Sequence, residues 1–99
     1  MVRNDLVAKI TDELSPAFTK KEVDLIIDRF IEAIKSCLLK NERVYIKGFG
    51  IFINHYRKEK NSRLPNLKGV RKIPPRYVPY FRPSRQFKEA IIKNVRGKE

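Results

Sequence analysis

The side chains with the most evident chemical potential are eight lysines and arginines between Asn54 and Arg76. Only one acid, Glu59, stands among them, and Pro65 lies near the middle of the run. A surface that is merely soluble carries acids interspersed with its bases. This composition therefore indicates a surface that binds a polyanion. The eight bases are Arg57, Lys58, Lys60, Arg63, Lys68, Arg71, Lys72 and Arg76.

The charge of the whole chain is divided in the same way. Residues 43–99 hold 16 Lys and Arg against 3 acids, whereas residues 1–42 hold 7 bases against 8 acids. The two parts therefore carry net charges of +13 and −1, which give the chain its total of +12. Charge of this size favours phosphate polymers or anionic membranes as partners, because steering and counterion release both grow with it.

Residues that could support catalysis or bind a metal are few. His55 and Cys37 are the only histidine and the only cysteine, so neither a Cys/His metal set nor an intrachain disulfide can form. Asp24, Asp28 and Glu32 recur at helical spacing, which is typical of a solvated helix face, and the chain has no glycine-rich phosphate loop. We therefore predict no enzymatic activity, no cofactor and no metal site.

The length and hydropathy of the chain predict a small cytoplasmic protein. The N-terminus lacks the apolar core of a signal peptide, and no apolar run approaches the roughly 18 residues of a membrane span. A chain of 99 residues has room for one domain. If the basic run projects into solvent, the remaining body buries too little surface to be robust alone, so we expect an obligate oligomer.

Two helices are predicted before the basic half. The first begins at an Asn4 N-cap and ends at Ser15-Pro16. The second begins at Thr19, with Glu22 three residues later in a capping box. Its apolar stripe is wide enough to need two neighbours, such as the first helix and a partner chain. The stripe contains Val23, Ile26, Ile27, Phe30, Ile31, Ile34, Cys37 and Leu38.

Strands and a third helix follow. Apolar residues alternate on either side of a Gly48-Phe49-Gly50 turn, which predicts a β-hairpin. Its second strand continues into the basic run, and a return strand is expected from about Val70 to Arg82. That return should be an exposed edge or a bulged strand, because its three prolines lack N–H donors. Pro83 and Ser84 then provide the start and N-cap of the third helix.

The order of these elements, together with several short motifs, resembles the HU and integration host factor family of bacterial DNA-bending proteins. The resemblance covers nearly the whole chain, and residues 54–57 and 76–79 are most similar to the beta subunit of integration host factor. The matching motifs are Gly48-Phe49-Gly50-Ile51-Phe52, Tyr56-Arg57, Arg63-Leu64-Pro65, Tyr77-Val78-Pro79-Tyr80-Phe81-Arg82-Pro83, and then Arg85 and Lys88.

The resemblance implies an α+β fold in an intertwined dimer. Each subunit would have two N-terminal helices, a three-stranded antiparallel sheet extended into a long basic β-arm, and a C-terminal helix. Residues 1–99 would form one domain, with a helical dimerisation region at 1–42, the sheet and arm at 43–83, the arm itself at about 54–76, and the last helix at 84–99. The partner is expected to be a second copy or a related subunit, because the family includes both homodimers and heterodimers.

The resemblance also implies which residues contact DNA. Pro65 aligns with the wedge residue at the arm tip, and a rigid apolar ring without a donor suits insertion between bases. The family is itself among the minor-groove benders for which such wedges are described, although an ordinary turn proline is the alternative. Leu64 stands where the family usually carries a polar Asn. The expected arm contacts are Arg57, Lys58, Lys60, Arg63, Lys68, Arg71 and Lys72. The expected contacts on the body are Arg3, Arg43, Lys47, Arg76, Arg82, Arg85 and Lys88.

Apolar residues of the same motifs are expected to form the core and the dimer interface. Four phenylalanines could in principle stack on bases as in single-strand binders, namely Phe49, Phe52, Phe81 and Phe87. Their positions between sheet and helices favour packing instead. The residues expected in the dimer or core are Val23, Ile27, Phe30, Ile34, Phe49, Phe52 and Phe81.

We therefore predict a non-enzymatic, nucleoid-associated protein that bends and compacts double-stranded DNA. Tyr45 occupies the position of an acid associated with site preference in the beta subunit, with Arg43 and Lys47 on either side. We accordingly expect low sequence specificity and a preference for bent, kinked or A·T-rich DNA that is easily deformed. The alternatives are a basic RNA-binding or ribosome-associated protein and a site-preferring subunit of the integration host factor type. A membrane partner is disfavoured, because the bases lie on a predicted hairpin and not on an amphipathic helix.

Overall fold

The computed structural model describes residues 1–63 and 70–95. Its elements confirm the predicted α+β class. In chain order they are α1 (Arg3–Leu14), α2 (Lys20–Leu39), β1 (Val44–Ile46), β2 (Gly50–Arg57), β3 (Lys60–Arg63), β4 (Val70–Ile73), β5 (Arg76–Pro83) and α3 (Arg85–Asn94). The chain forms two compact units, Met1–Ser36 and Cys37–Glu99.

The helix starts in the first unit depend on side chains that satisfy exposed backbone amides. The N-cap of α1 is Val2, whose backbone N–H donates to Oδ2 of Asp5 over 3.0 Å. The prediction of an Asn4 N-cap was wrong by two residues, because the carboxylate of Asp5 serves the amide of Val2. At α2 the predicted capping box is confirmed. The Thr19 N–H donates to Oε1 of Glu22 over 2.9 Å, and the Glu22 N–H donates to Oγ1 of Thr19 over 3.2 Å.

Burial in the first unit is limited to a few apolar side chains. Val7 and Val23 are each only 3% exposed, and they are the fully buried hydrophobic residues among those that the structure describes. The outer part of the α2 stripe lies open, with exposures of 54% for Leu25, 57% for Ile26 and 54% for Phe30. A helix that leaves this much apolar surface uncovered requires a further partner.

The end of α2 is a Schellman motif, in which two amides beyond the helix return to its last carbonyls. The Glu42 N–H donates to the Cys37 carbonyl over 2.9 Å, and the Asn41 N–H donates to the Leu38 carbonyl over 2.9 Å. Asn41 adopts the left-handed conformation that this motif needs, with φ of 60°. The motif turns the chain from α2 towards β1.

The second unit contains two antiparallel sheets. β1, β2 and β5 form a three-stranded sheet in that order, and β3 pairs with β4 in a two-stranded ribbon. The predicted return strand is therefore interrupted at Pro74-Pro75, where two successive residues lack N–H donors. Its second part, β5, lies at the edge of the three-stranded sheet, which confirms the expected edge position.

A cluster of phenylalanine rings joins the three-stranded sheet to α3. The ring centroid of Phe49 lies 4.8 Å from that of Phe81 and 5.5 Å from that of Phe87, while Phe52 lies 4.9 Å from Phe81. α3 starts beside this cluster, because Oγ of Ser84 accepts the Phe87 N–H over 3.2 Å. The cluster thus connects the sheet to the predicted N-cap of the last helix.

Candidate nucleic-acid interface

The register of β2 and β5 assigns side chains to the two faces of the three-stranded sheet, because successive residues of a strand point to opposite faces. Phe52 lies opposite Phe81, and Asn54 lies opposite Pro79, so these pairs share the face of the phenylalanine cluster. The other face carries the pairs between them and at the end of the strands. Those pairs are Ile51 with Arg82, Ile53 with Tyr80, His55 with Val78, and Arg57 with Arg76.

Arg57 and Arg76 form a pair of like charges at the end of this second face. They are directly opposite each other in the antiparallel register, and like charges in that arrangement destabilise a sheet. The Arg76 Nη1 donates to the carbonyl of Pro74 over 3.5 Å, while Arg57 is exposed. An anion placed between two such guanidinium groups would relieve their repulsion, which makes this pair a candidate phosphate site.

Beyond this pair, the β3–β4 ribbon continues the basic run. Lys60 is exposed opposite Ile73, and Lys72 is exposed opposite Asn61. Nζ of Lys72 lies 3.6 Å from Oε2 of Glu59, in an ion pair between two well-exposed side chains. The backbone register places Arg63 opposite Val70 and Arg71 opposite Ser62. Leu64, Pro65 and Lys68 lie outside the described residues.

The predicted contacts of the second unit outside the ribbon have different surroundings. Arg43 and Lys47 are exposed at the two ends of β1, and Tyr45 between them is 69% exposed. Lys88 lies beside an apolar groove that Ile91 and Ile92 also line. The remaining predicted contacts in this unit are Arg82, which is exposed on β5, and Arg85, which is exposed on α3.

Besides Lys72, two of the predicted contacts are already engaged by acids. Arg3 lies 3.1 Å from Oδ1 of Asp24 and 3.5 Å from Oδ1 of Asp28, and it also donates to the Asp24 carbonyl. Arg85 pairs with Glu89, one helical turn further along α3, at 3.1 Å. A phosphate that approaches Arg3 must compete with two carboxylates.

The balance of acids and bases nevertheless leaves a cationic surface. Among the side chains of residues 43–95 that the structure describes, ion pairs form at Lys72 and at Arg85. The other bases whose side chains the structure describes in this part of the chain therefore keep their charge available to a polyanion. In the described part of the chain, no three His, Cys, Asp or Glu side chains come close enough to hold a metal ion. No helix there is long and apolar enough to cross a membrane.

Sequence reasoning missed one polar contact beneath the basic strands. The Asn54 Nδ2 donates to the Leu38 carbonyl over 2.7 Å and to Oδ1 of Asn41 over 3.1 Å. A signal for it exists in the sequence, because Asn54 occupies the position in the alternation that otherwise carries apolar or aromatic side chains. A half-buried amide at such a position needs hydrogen-bond partners.

Comparison with known proteins places these features in context. The chain matches the model of the family described as bacterial DNA-binding protein over residues 1–92. It is 34% identical over 95 residues to the integration host factor subunit beta of Colwellia psychrerythraea, covering 96% of this chain and 99% of that protein. Identity to the same subunit of Hahella chejuensis is 31% over 97 residues, covering 98% of each.

Solved structures give the same pattern. An Anabaena HU–DNA cocrystal structure matches with a TM-score of 0.83 at 27% identity, covering 93% of this chain and 98% of that chain. A mutant HU from Thermotoga maritima matches with a TM-score of 0.67 at 30% identity, covering 92% of this chain and 99% of that chain.

Proposed function

Because the chain belongs to the family of bacterial DNA-binding proteins that includes HU and integration host factor, we propose that it is an architectural protein that bends double-stranded DNA. Its role is structural and not enzymatic. It acts as a dimer whose two basic β-arms enter the minor groove, and bending is favourable because a bent duplex contacts more of the protein surface. Its site of action is the cytoplasmic nucleoid.

The observation that carries this proposal is the arginine pair where β2 ends and β5 begins. Arg57 and Arg76 lie opposite each other in the register, and bases continue beyond them along the β3–β4 ribbon. A paired ribbon that keeps like charges adjacent is stabilised by polyanion binding, which releases counterions from the phosphate backbone. The bases predicted for the arm and the body keep the roles proposed for them, and Pro65 acts as the wedge at the tip.

Dimer formation is supported by the exposed apolar face of α2. Leu25, Ile26 and Phe30 are each more than half exposed, and burial of the part that remains exposed would contribute about 1 kcal/mol each. A second subunit is the occupant that the proposed function requires, because two arms are needed to hold the two sides of a bend. Residues 1–42 thus serve as the dimerisation region of a single domain.

Low sequence specificity is the second part of the proposal. Tyr45 is exposed between Arg43 and Lys47, and it stands where the beta subunits of integration host factor are associated with an acid. Readout then depends mainly on how easily the DNA deforms, which favours kinked and A·T-rich segments. A site preference of the integration host factor type is the competing outcome, which the similarity to those subunits supports only in part.

A gel-shift experiment tests the function. The purified protein is titrated against a linear DNA duplex, a nicked or kinked DNA duplex and an RNA duplex of equal length, at several salt concentrations. Tighter binding to the kinked DNA supports a DNA-bending role. Equal or tighter binding to the RNA duplex contradicts it and favours the RNA-binding alternative. Binding that is strong for one DNA sequence alone would instead indicate a site-preferring subunit.

A further inference from the structure

A network of hydrogen bonds ties the basic strands to the end of α2. Its centre is the side-chain amide of Asn54, which is half-buried on β2. One N–H of this amide donates to the Leu38 carbonyl over 2.7 Å, and the amide nitrogen also lies 3.1 Å from Oδ1 of Asn41. Both acceptors belong to the Schellman motif that ends α2. The amide of Asn54 therefore bonds at once to the backbone and to a side chain of that motif.

The position of this network along β2 is what makes it informative. Asn54 lies opposite Pro79, and proline has no N–H to contribute to the strand pairing at that point. Three residues beyond Asn54, β2 ends at Arg57, and the β3–β4 ribbon follows. The Asn54 amide thus anchors β2 close to the point where the three-stranded sheet ends and the basic β3–β4 ribbon begins.

A small rotation of the strand at Asn54 would produce a large displacement at the far end of the ribbon. Arg63 is nine residues beyond Asn54, which corresponds to about 30 Å of extended strand at about 3.3 Å per residue. A rotation of about 10° at Asn54 would displace the end of β3 by about 5 Å over that length. The groove of a duplex is only about 6 Å wide on its minor side, so such a displacement would misplace an arm.

We propose that Asn54 is a positioning residue that sets the direction of the basic arm through its bonds to Leu38 and Asn41. The proposal rests on the proposed function for its consequence, which is that DNA bending depends on Asn54. Its structural content does not depend on DNA, because the direction of the arm can be measured in the protein alone.

The first experiment measures arm direction without DNA. Spin labels are attached at Lys40→Cys and Lys60→Cys in a Cys37→Ser background, and labelled chains are diluted with excess unlabelled chains so that each assembly carries one labelled subunit. The wild-type network predicts a narrow distance distribution between the two labels. Asn54→Leu keeps the size and neutrality of the side chain but removes the donor, and it should broaden the distribution by about 5 Å.

Two further variants separate positioning from stability. Asn41→Gly keeps the left-handed backbone, which glycine adopts readily, but it removes the Oδ1 acceptor of Asn54. It should therefore broaden the label distances while leaving the melting temperature equal to that of the wild type or higher. Asn94→Leu is the matched control, because Nδ2 of Asn94 donates to the Ala90 carbonyl over 2.8 Å on α3. Loss of that bond should leave the label distances unchanged.

The second experiment adds DNA to unlabelled protein. Energy transfer between the ends of a linear duplex should fall for Asn54→Leu and Asn41→Gly, while affinity changes by less than about fivefold, the factor that one hydrogen bond typically provides. Unchanged label distances in both variants would overturn the inference, whatever happens to DNA. A wild-type protein that leaves duplexes straight would overturn the proposed function, while the label distances would still decide the role of Asn54.

Discussion

At the scale of single residues, Arg57 and Arg76 are expected to affect both the stability of the protein and its binding to DNA. Their side chains repel each other across β2 and β5, so we expect Arg57→Gln to leave the free energy of unfolding unchanged or to raise it by about 0.5 kcal/mol. The same change should flatten the salt dependence of DNA binding by about one unit for each lost phosphate contact. Titrations at several salt concentrations, together with urea unfolding, measure both effects. Lys35→Gln removes the same charge from α2 and serves as the control; an equal flattening there would contradict a specific site at Arg57.

Pro65 is expected to act on the shape of the DNA more than on affinity. Pro65→Ala retains the charges of the arm, so contacts with phosphate should persist while the wedge is lost. The bend angle, measured by energy transfer between duplex ends, should fall by a larger fraction than the binding constant does. Insertion of a wedge unstacks a base step at a cost of a few kcal/mol, which a straighter complex would avoid. A variant that bends DNA as strongly as the wild type would return Pro65 to the role of an ordinary turn residue.

At the scale of elements, Gly50 decides whether β2 and β5 can pack closely. A Cβ at this position would lie 2.5 Å from the carbonyl oxygen of Arg82 and 2.6 Å from Cε1 of Phe81. Gly50→Ala should therefore lower the free energy of unfolding by about 1–3 kcal/mol through overpacking. Gly48→Asn is the control, because Gly48 has φ of 79° with open space around it, and asparagine tolerates that region. Urea unfolding followed by circular dichroism should rank Gly50→Ala as the more damaging change; the reverse order would contradict close packing at Gly50.

Local chemistry made most of the elements predictable, whereas contacts between distant residues were not. The reciprocal bonds of Thr19 and Glu22 follow from their spacing of three residues. The interruption at Pro74-Pro75 follows from the missing N–H donors of proline, which is also the reason for predicting an edge strand there. The start of α1 was placed two residues too late, because the carboxylate of Asp5 accepts the Val2 N–H at the start of the helix. Asn54 escaped prediction because its acceptors lie 13 and 16 residues away. Local patterns do not predict a contact between residues so far apart in the chain. The inward position of the polar Asn54 indicates only that its amide needs a hydrogen-bond partner.

At the scale of the whole molecule, apolar and basic surfaces belong to different parts of the chain. The first 42 residues carry a net charge of −1 and the exposed apolar face of α2, whereas residues 43–99 carry +13. Repulsion between two copies should therefore concentrate in the basic part and spare the helical part. In the proposed dimer, this segregation would let the subunits associate through α2 while the basic strands remain available to DNA.

The apolar face of α2 predicts that folding and association are linked. Since a dimer is stabilised by mass action, the melting temperature of the chain alone should rise with protein concentration, and light scattering should give the mass of a dimer. Phe30→Glu should abolish the dimer and lower the melting temperature, because association would bury the new carboxylate in the interface. Phe30 is 54% exposed in the single chain. Lys35→Gln changes the charge of α2 by the same amount on its polar side and should leave the mass unchanged. A wild-type chain that is monomeric at every concentration, but dimeric when mixed with a related subunit, would assign the chain to a heterodimer. A melting temperature independent of concentration, with an unaltered mass for Phe30→Glu, would exclude this face as the interface.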